Sequence, residues 1–178
     1  MSTPAHSTQL QIRLAKADDA LCLGVLASQV FLDTYAVLGV RASLAEYVRS
    51  SFATSALQNL LANPEVMLCV AEASAHMVGF AQVSVEVAQP LVQAERPAEL
   101  ERLYVQRPFM GQRVGAQLLR EAEELAAQRG ADALWCSVWV HNVRALRFYE
   151  RQGYANLGSS VFVMGHERHD NRVLCKML

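Results

Sequence analysis

Two stretches of the 178-residue chain have residue types and spacing suited to chemistry. The first runs from Glu99 to Gly115, E-L-E-R-L-Y-V-Q-R-P-F-M-G-Q-R-V-G. Leu100, Leu103, Tyr104 and Val105 read as a buried strand, Arg107-Pro108 breaks it, and Gly111 and Gly115 bracket the first turn of a long amphipathic helix. Such a junction leaves backbone N–H groups unpaired at the positive end of a helix, which suits phosphate. It also serves as a plain connection in many folds, so alone it decides nothing. The second stretch, N-V-R-A-L-R-F-Y, opens a helix at Asn142 and places Tyr149 two turns later on the same face. Glu99 and Glu101 lie within the strand, where a carboxylate is unusual without a task, and alternation points them the same way. An ion pair with Arg102 or Arg107 explains them equally well. His166 and His169, with Glu167 and Asp170, fall in a polar stretch that reads as a solvated turn, so no metal is expected. Cys22, Cys69, Cys136 and Cys175 form no C-x-x-C pair and read as buried thiols of a reducing compartment.

The elements that must hold these residues follow from periodicity. A short strand at Ile12–Ala15 precedes a helix from Ala20 to Phe31, with Leu21, Val25, Leu26 and Val30 as its stripe and Asp18 or Asp19 as its cap. After a break at Val37–Val40, Ser43 and Glu46 form a capping box for a second helix, and Thr54 caps a third. Val66–Ala71 and Val78–Val85 read as antiparallel partners across a Ser74–His76 turn. Ala88–Pro97 is a surface loop. The helix after Gly111 carries Val114, Leu118, Leu119, Ala122, Leu125 and Ala126 on one face and stops at Gly130. Leu134–Val140 is a strand, the Asn142 helix stops at Gly153, and strands Tyr154–Met164 and Arg172–Leu178 close the chain around a polar loop, Gly165–Asn171. This order predicts an α/β (α+β) fold with a mixed sheet, in one domain over residues 1–178 with residues 1–10 as a tail. At 52% hydrophobic the chain can bury a core, and its net charge of -1 argues against nucleic acid. No apolar run reaches about 18 residues and the N-terminus lacks a signal pattern, so a cytoplasmic protein away from membranes is expected.

The block L-Y-V-x-x-P-F-M-G-Q-R-V-G-A-Q-L-L, followed by W-x-x-N-x-x-A-x-x-F-Y-x-x-x-G-Y, resembles the GNAT acyl-CoA N-acyltransferase superfamily over about residues 11–178. The resemblance implies a mostly antiparallel twisted sheet with helices on both faces, and acetyl-CoA as cofactor. The loop Met110, Gly111, Gln112, Arg113, Val114, Gly115 and Ala116 would hold the pyrophosphate. Leu103, Tyr104 and Val105 would pair by backbone with the pantetheine arm, and Asn142 and Tyr149 would complete the cofactor site. Two positions depart from the usual Q/R-x-x-G-x-G/A pattern. Met110 stands for Gln or Arg, and Arg113 stands for the first Gly. A guanidinium at position 113 is expected to pair with phosphate. F-L-D-T-Y, A-E-Y-V-R-S-S-F, E-L-E-R-L-Y-V and S-S-V-F-V-M-G-H-E-R-H-D-N are similar to bacterial spermidine/spermine N-acetyltransferases, which implies a polyamine acceptor.

Acetyl transfer to an amine requires removal of an amine proton, stabilisation of an oxyanion and protonation of the leaving thiolate. The resemblance gives the last role to Tyr149. Glu101 is the first candidate for the base, directly or through water, with Glu99 as competitor. Asp33, Thr34, Tyr35 and Glu99 are expected on the acceptor side, where Asp33 either attracts a cationic amine or caps its helix. The expected partner is a small-molecule amine; a homodimer is left open. A peptide or amino-acid acceptor and a non-catalytic acyl-CoA sensor are the alternatives. A P-loop is disfavoured because no G-K-S/T follows the loop.

Overall fold

The computed structural model describes residues 10–178. The expected tail lies outside them except for Leu10, which begins the first strand. The elements are β1 (Leu10–Leu14), α1 (Ala20–Tyr35), α2 (Ala42–Ser51), α3 (Thr54–Ala62), β2 (Val66–Ala73), β3 (His76–Ser84), β4 (Pro97–Val105), α4 (Val114–Gln128), β5 (Ala133–Trp139), α5 (Val143–Arg151), β6 (Ala155–Met164) and β7 (Glu167–Met177). All described strands form one sheet in the order β1-β2-β3-β4-β5-β7-β6. Only β4 and β5 are parallel neighbours.

Helices cover both faces. The stripe Val114, Leu118, Leu119, Ala122 and Ala126 buries α4 against one face, where Tyr149 of α5 joins the same core. Leu23, Leu26, Ala27, Val30 and Phe31 of α1 pack on the other face with Leu44, Phe52 and Leu57. Leu21 and Val25, expected in that stripe, are instead 63% and 66% exposed. The α1 sequence is apolar at almost every position, so its periodicity does not fix which side turns inward.

Two irregularities in β4 create the site. Gln82 pairs with Arg102, but the next residue, Val83, pairs with Leu100. Glu101 is therefore the extra residue of a bulge, which reverses the facing of the strand. Before the bulge Ala98 and Leu100 face the α4 core; after it Leu103 and Val105 do. Secondly, β4 pairs with β5 only at Pro97, Ala98 and Glu99, opposite Ala133, Leu134 and Trp135. Beyond that the two strands part, leaving a wedge with unpaired backbone on both walls.

Several expectations are corrected. The α4 helix begins at Val114 rather than Gly111, because Gly111 (φ +81°) and Arg113 (φ +65°) take left-handed turns first. The stretch Gly165–Asn171 is mostly strand: Met164 pairs with Glu167 across a tight turn, and His169 lies on β7. Arg168, Asp170 and Arg172 point to solvent from this outer pair of strands, which makes the segment polar enough to imitate a loop. Ser43 does not cap α2, which has no side-chain cap; its hydroxyl donates to Glu167 at 2.8 Å. Thr54 begins α3 without capping it. Cys22 is exposed, while Cys69, Cys136 and Cys175 are buried.

Candidate active site

The wedge opens into a cavity of about 730 Å³ bounded by α1, β4, the loop before α4, and α5. Leu103, Tyr104 and Val105 form its β4 wall, and Met110, Gly111, Arg113, Gly115 and Ala116 its loop wall. No side chain caps α4, so the N–H groups of its first turn remain available to an anion. Arg113 occupies the left-handed position that the family pattern gives to glycine, at a cost of about 1–2 kcal/mol for a residue with a Cβ. Gly115 is not required by the protein's own packing. A Cβ there would sit 3.7 Å from Phe148 and 3.8 Å from Val105, ordinary contact distances. Its smallness keeps cavity space open.

Helix α5 supplies the facing wall. Asn142 caps it, its Oδ1 accepting from the Ala145 N–H at 3.2 Å, and also lines the cavity. Arg144, Phe148 and Arg151 recur at helical spacing along the same wall. Arg113, Arg144 and Arg151 have no carboxylate partner among the described residues. Three uncompensated guanidinium groups therefore border one cavity.

Tyr149 lines the cavity floor with only 7% of its surface exposed. Its ring meets Phe148 and Tyr154 edge-on at 5.2 and 5.4 Å. The Cys136 thiol of β5 is a close neighbour of its hydroxyl. Burial, reinforced by the neighbouring Cys136, holds the phenol well above its ordinary pKa. Tyr149 is thus a proton donor throughout the neutral range and cannot act as a base there.

The two β4 carboxylates separate in position. Glu99 is the last residue paired to β5, at the apex of the wedge, on the face away from α4. Burial first, and the charge of Glu101 second, push its pKa up to about 7 against the opposing pull of Arg102. Glu101 accepts a hydrogen bond from the Ser84 hydroxyl and lies 3.8 Å from Arg102. It lines a separate groove beside α3, not the wedge cavity.

Of the expected acceptor-side residues, Thr34 and Tyr35 line the cavity. The Thr34 hydroxyl turns back to the Val30 carbonyl at 2.9 Å. Tyr35 packs 4.5 Å from Phe31 and 5.4 Å from Trp139, ring to ring. Asp33 is exposed and, like Glu99 at the wedge apex, does not line the cavity. Gln112 donates to the Pro108 carbonyl at 2.8 Å and Val114 is core, so neither side chain lines it. Val30, Phe31, Arg144, Ala145, Phe148, Arg151 and Gln152 line it without having been singled out. The helical spacing of Arg144, Phe148 and Arg151 was a usable signal. His169 is largely buried, 6.3 Å from the Trp139 ring, and its Nε2 is 3.6 Å from Glu167.

A wedge-opened sheet, an uncapped helix and converging guanidinium groups define a class first: a site for a long polyanion whose middle lies along strand edges. The model of the acetyltransferase (GNAT) family matches residues 36–154, and the chain belongs to that family. It is an acetyl-CoA-dependent N-acetyltransferase. An uncharacterised N-acetyltransferase of Lactobacillus delbrueckii subsp. lactis is 26% identical over 153 residues, covering 86% of this chain and 88% of that one. The spermidine N(1)-acetyltransferase of Thermoplasma acidophilum is 24% identical over 151 residues, covering 82% and 88%. The crystal structure of a Thermoplasma acidophilum PaiA N-acetyltransferase with coenzyme A superposes with a TM-score of 0.74 at 21% identity, over 96% of this chain and 99% of that chain. No helix among the described residues is long and apolar enough to cross a membrane.

Proposed function

We propose that the chain acetylates a small primary amine, with Glu99 as the base and Tyr149 as the acid on opposite faces of the β4–β5 wedge. The observation that carries this reading is the pairing of Glu99, whose pKa burial pushes up to about 7, with Trp135, whose chain neighbour Cys136 lies beside Tyr149. The acetyl-CoA phosphates lie at the first turn of α4 and Arg113, and the pantetheine arm runs along Leu103–Val105. The amine arrives from the α1–α3 side and gives a proton to Glu99. Its nitrogen attacks the thioester carbonyl, and collapse of the tetrahedral intermediate expels the thiolate toward Tyr149, which protonates it. Glu101 is the weaker candidate because it is held by Ser84 and lies beyond the last residue paired to β5.

The finer reading is a polyamine such as spermidine or spermine. Its support is the aromatic surface around the entrance, where Phe31, Tyr35, Tyr47, Trp139 and Phe162 make successive ring contacts. Such faces attract ammonium groups. The similarity to the Thermoplasma spermidine enzyme adds to it. One observation favours the second reading, an amino-acid amine: the buried guanidinium of Arg102 on the acceptor face repels a polycation. Product analysis after incubation with acetyl-CoA and either spermidine or free amino acids tests the two. Acetylspermidine as the main product supports the first; its absence alongside an acetylated amino acid supports the second.

A further inference from the structure

An open groove of about 450 Å³ lies beside α3 on the sheet face away from α4. Ser51, Asn59, Asn63, Glu101 and Arg102 are its polar lining. Only 13% of the Arg102 side chain is exposed. It donates to the Gln82 side-chain oxygen Oε1, and its guanidinium lies 5.4 Å from the centroid of the Phe52 ring. It forms a loose ion pair with Glu101 at 3.8 Å, longer than a hydrogen bond, which leaves both groups able to take a further partner. Gln82 is fully buried and its amide nitrogen has no hydrogen-bond partner. The buried Gln82 amide beside Arg102 is therefore short of an acceptor, a costly state for a buried donor.

The charge pattern selects a ligand. A simple cation is repelled by Arg102, and a simple anion by Glu101. A carboxylate and an ammonium on one carbon satisfy both: the carboxylate matches the guanidinium fork, and the ammonium meets Glu101 with the side-chain oxygens of Ser51 and Asn59. The groove lies close to the reaction centre. Tyr104, two residues beyond Arg102 and about 7 Å along the strand, lines the wedge cavity.

We propose that the acceptor is a diamino acid, its α-amino acid head held in this groove by Arg102 and Glu101 and its distal amine presented to the thioester. The inference rests on the acetyltransferase reading and sharpens its amino-acid branch. In the step itself the distal nitrogen forms the new C–N bond, the C–S bond of acetyl-CoA breaks, and the amine proton leaves as the thiolate gains one. The products are the ω-N-acetyl amino acid and coenzyme A.

Three amines differing by single groups test this on the unmodified protein: L-lysine, cadaverine, which lacks the carboxylate, and 6-aminohexanoate, which lacks the α-ammonium. L-Ornithine, putrescine and 5-aminopentanoate repeat the comparison one carbon shorter. At one length at least, kcat/KM for the diamino acid should exceed both analogues by roughly 10- to 100-fold, the value of one charged hydrogen bond. Acetate should be found on the distal nitrogen. Arg102→Met should shrink the diamino acid to diamine ratio toward one, and Glu101→Gln the ratio to the monoamino acid. Should either variant fail to fold, the unmodified protein decides alone. Equal or better turnover of cadaverine, putrescine or spermidine overturns the proposal while leaving the acetyltransferase reading intact. Acetyl-CoA binding with no turnover of any amine overturns both.

Discussion

Tyr149 is defined by its surroundings more than by its identity. A phenol buried beside a thiol stays protonated, which suits the proposed donation to a leaving thiolate. Tyr149→Phe keeps the ring packing and removes only the donor. Turnover should fall by about 100- to 10,000-fold with little change in the Michaelis constant for acetyl-CoA. Retained turnover, with chemistry shown to be rate-limiting, would make Tyr149 structural. Glu99 makes the complementary prediction. With its pKa raised to about 7, its basic form appears as pH rises through neutrality, and so should the rate. Glu99→Gln should abolish that inflection and lower turnover by about 100-fold or more, whereas Glu101→Gln should leave an inflection in place at lower pH, since the Glu101 charge helps to raise Glu99. The same shift bears on stability with the opposite sign. Because the folded value lies above the ordinary 4.5, the contribution is fully present below 4.5 and lost as pH rises through about 7. The placement of Asn142, Tyr149 and the loop glycines at one cavity was legible in the sequence because it depends on local helix and turn geometry. The preference for Glu99 over Glu101 was not. It depends on a bulge set by pairing to β3, which no local pattern of β4 encodes.

Helix α4 and the loop before it combine an uncapped N-terminus with a left-handed arginine. Glycine is absent from position 113 although the backbone there is left-handed, so the arginine is retained against strain. A β-branched residue tolerates that conformation worse still. Arg113→Val should therefore lower stability by about 1–2 kcal/mol in thermal or denaturant unfolding. Arg113→Gly should change stability little, since relief of strain is offset by the freedom glycine gains in the unfolded chain. Both should weaken acetyl-CoA binding. Gly115→Glu should separate binding from folding in another way. A Cβ fits there, so the fold should persist, while a carboxylate enters the phosphate site. Calorimetric titration should show a clear loss of acetyl-CoA affinity; equal affinity in both proteins would refute phosphate binding at this helix end. The amphipathic stripe of α4 was readable because its polar face is strongly charged. The α1 stripe and β7 were misread for opposite reasons, one being apolar nearly all round and the other polar on an outward face.

Across the whole molecule the sequence order of strands and helices gave the architecture, yet the wedge between β4 and β5 left no trace in it. Strand propensity speaks to each strand separately, while parting of neighbours is a property of the sheet. Charge is distributed at the same scale. Although the chain carries a net charge of only -1, Arg113, Arg144 and Arg151 gather at one cavity. Raising ionic strength should increase the Michaelis constant for acetyl-CoA, because exposed attractions are screened over about 8 Å at physiological salt. Removing all three guanidinium groups should flatten that dependence. The account as a whole stands on amine-dependent transfer through the wedge. Its most direct test follows free coenzyme A released by the pure protein from acetyl-CoA, with and without amine, across pH 6 to 9 (roughly one unit below and two above the Glu99 midpoint). The account predicts release that requires an amine, climbs through about pH 7 and collapses in Tyr149→Phe. Tight acetyl-CoA binding without amine-dependent release under any of these conditions would contradict it and leave a binding module on an acetyltransferase fold.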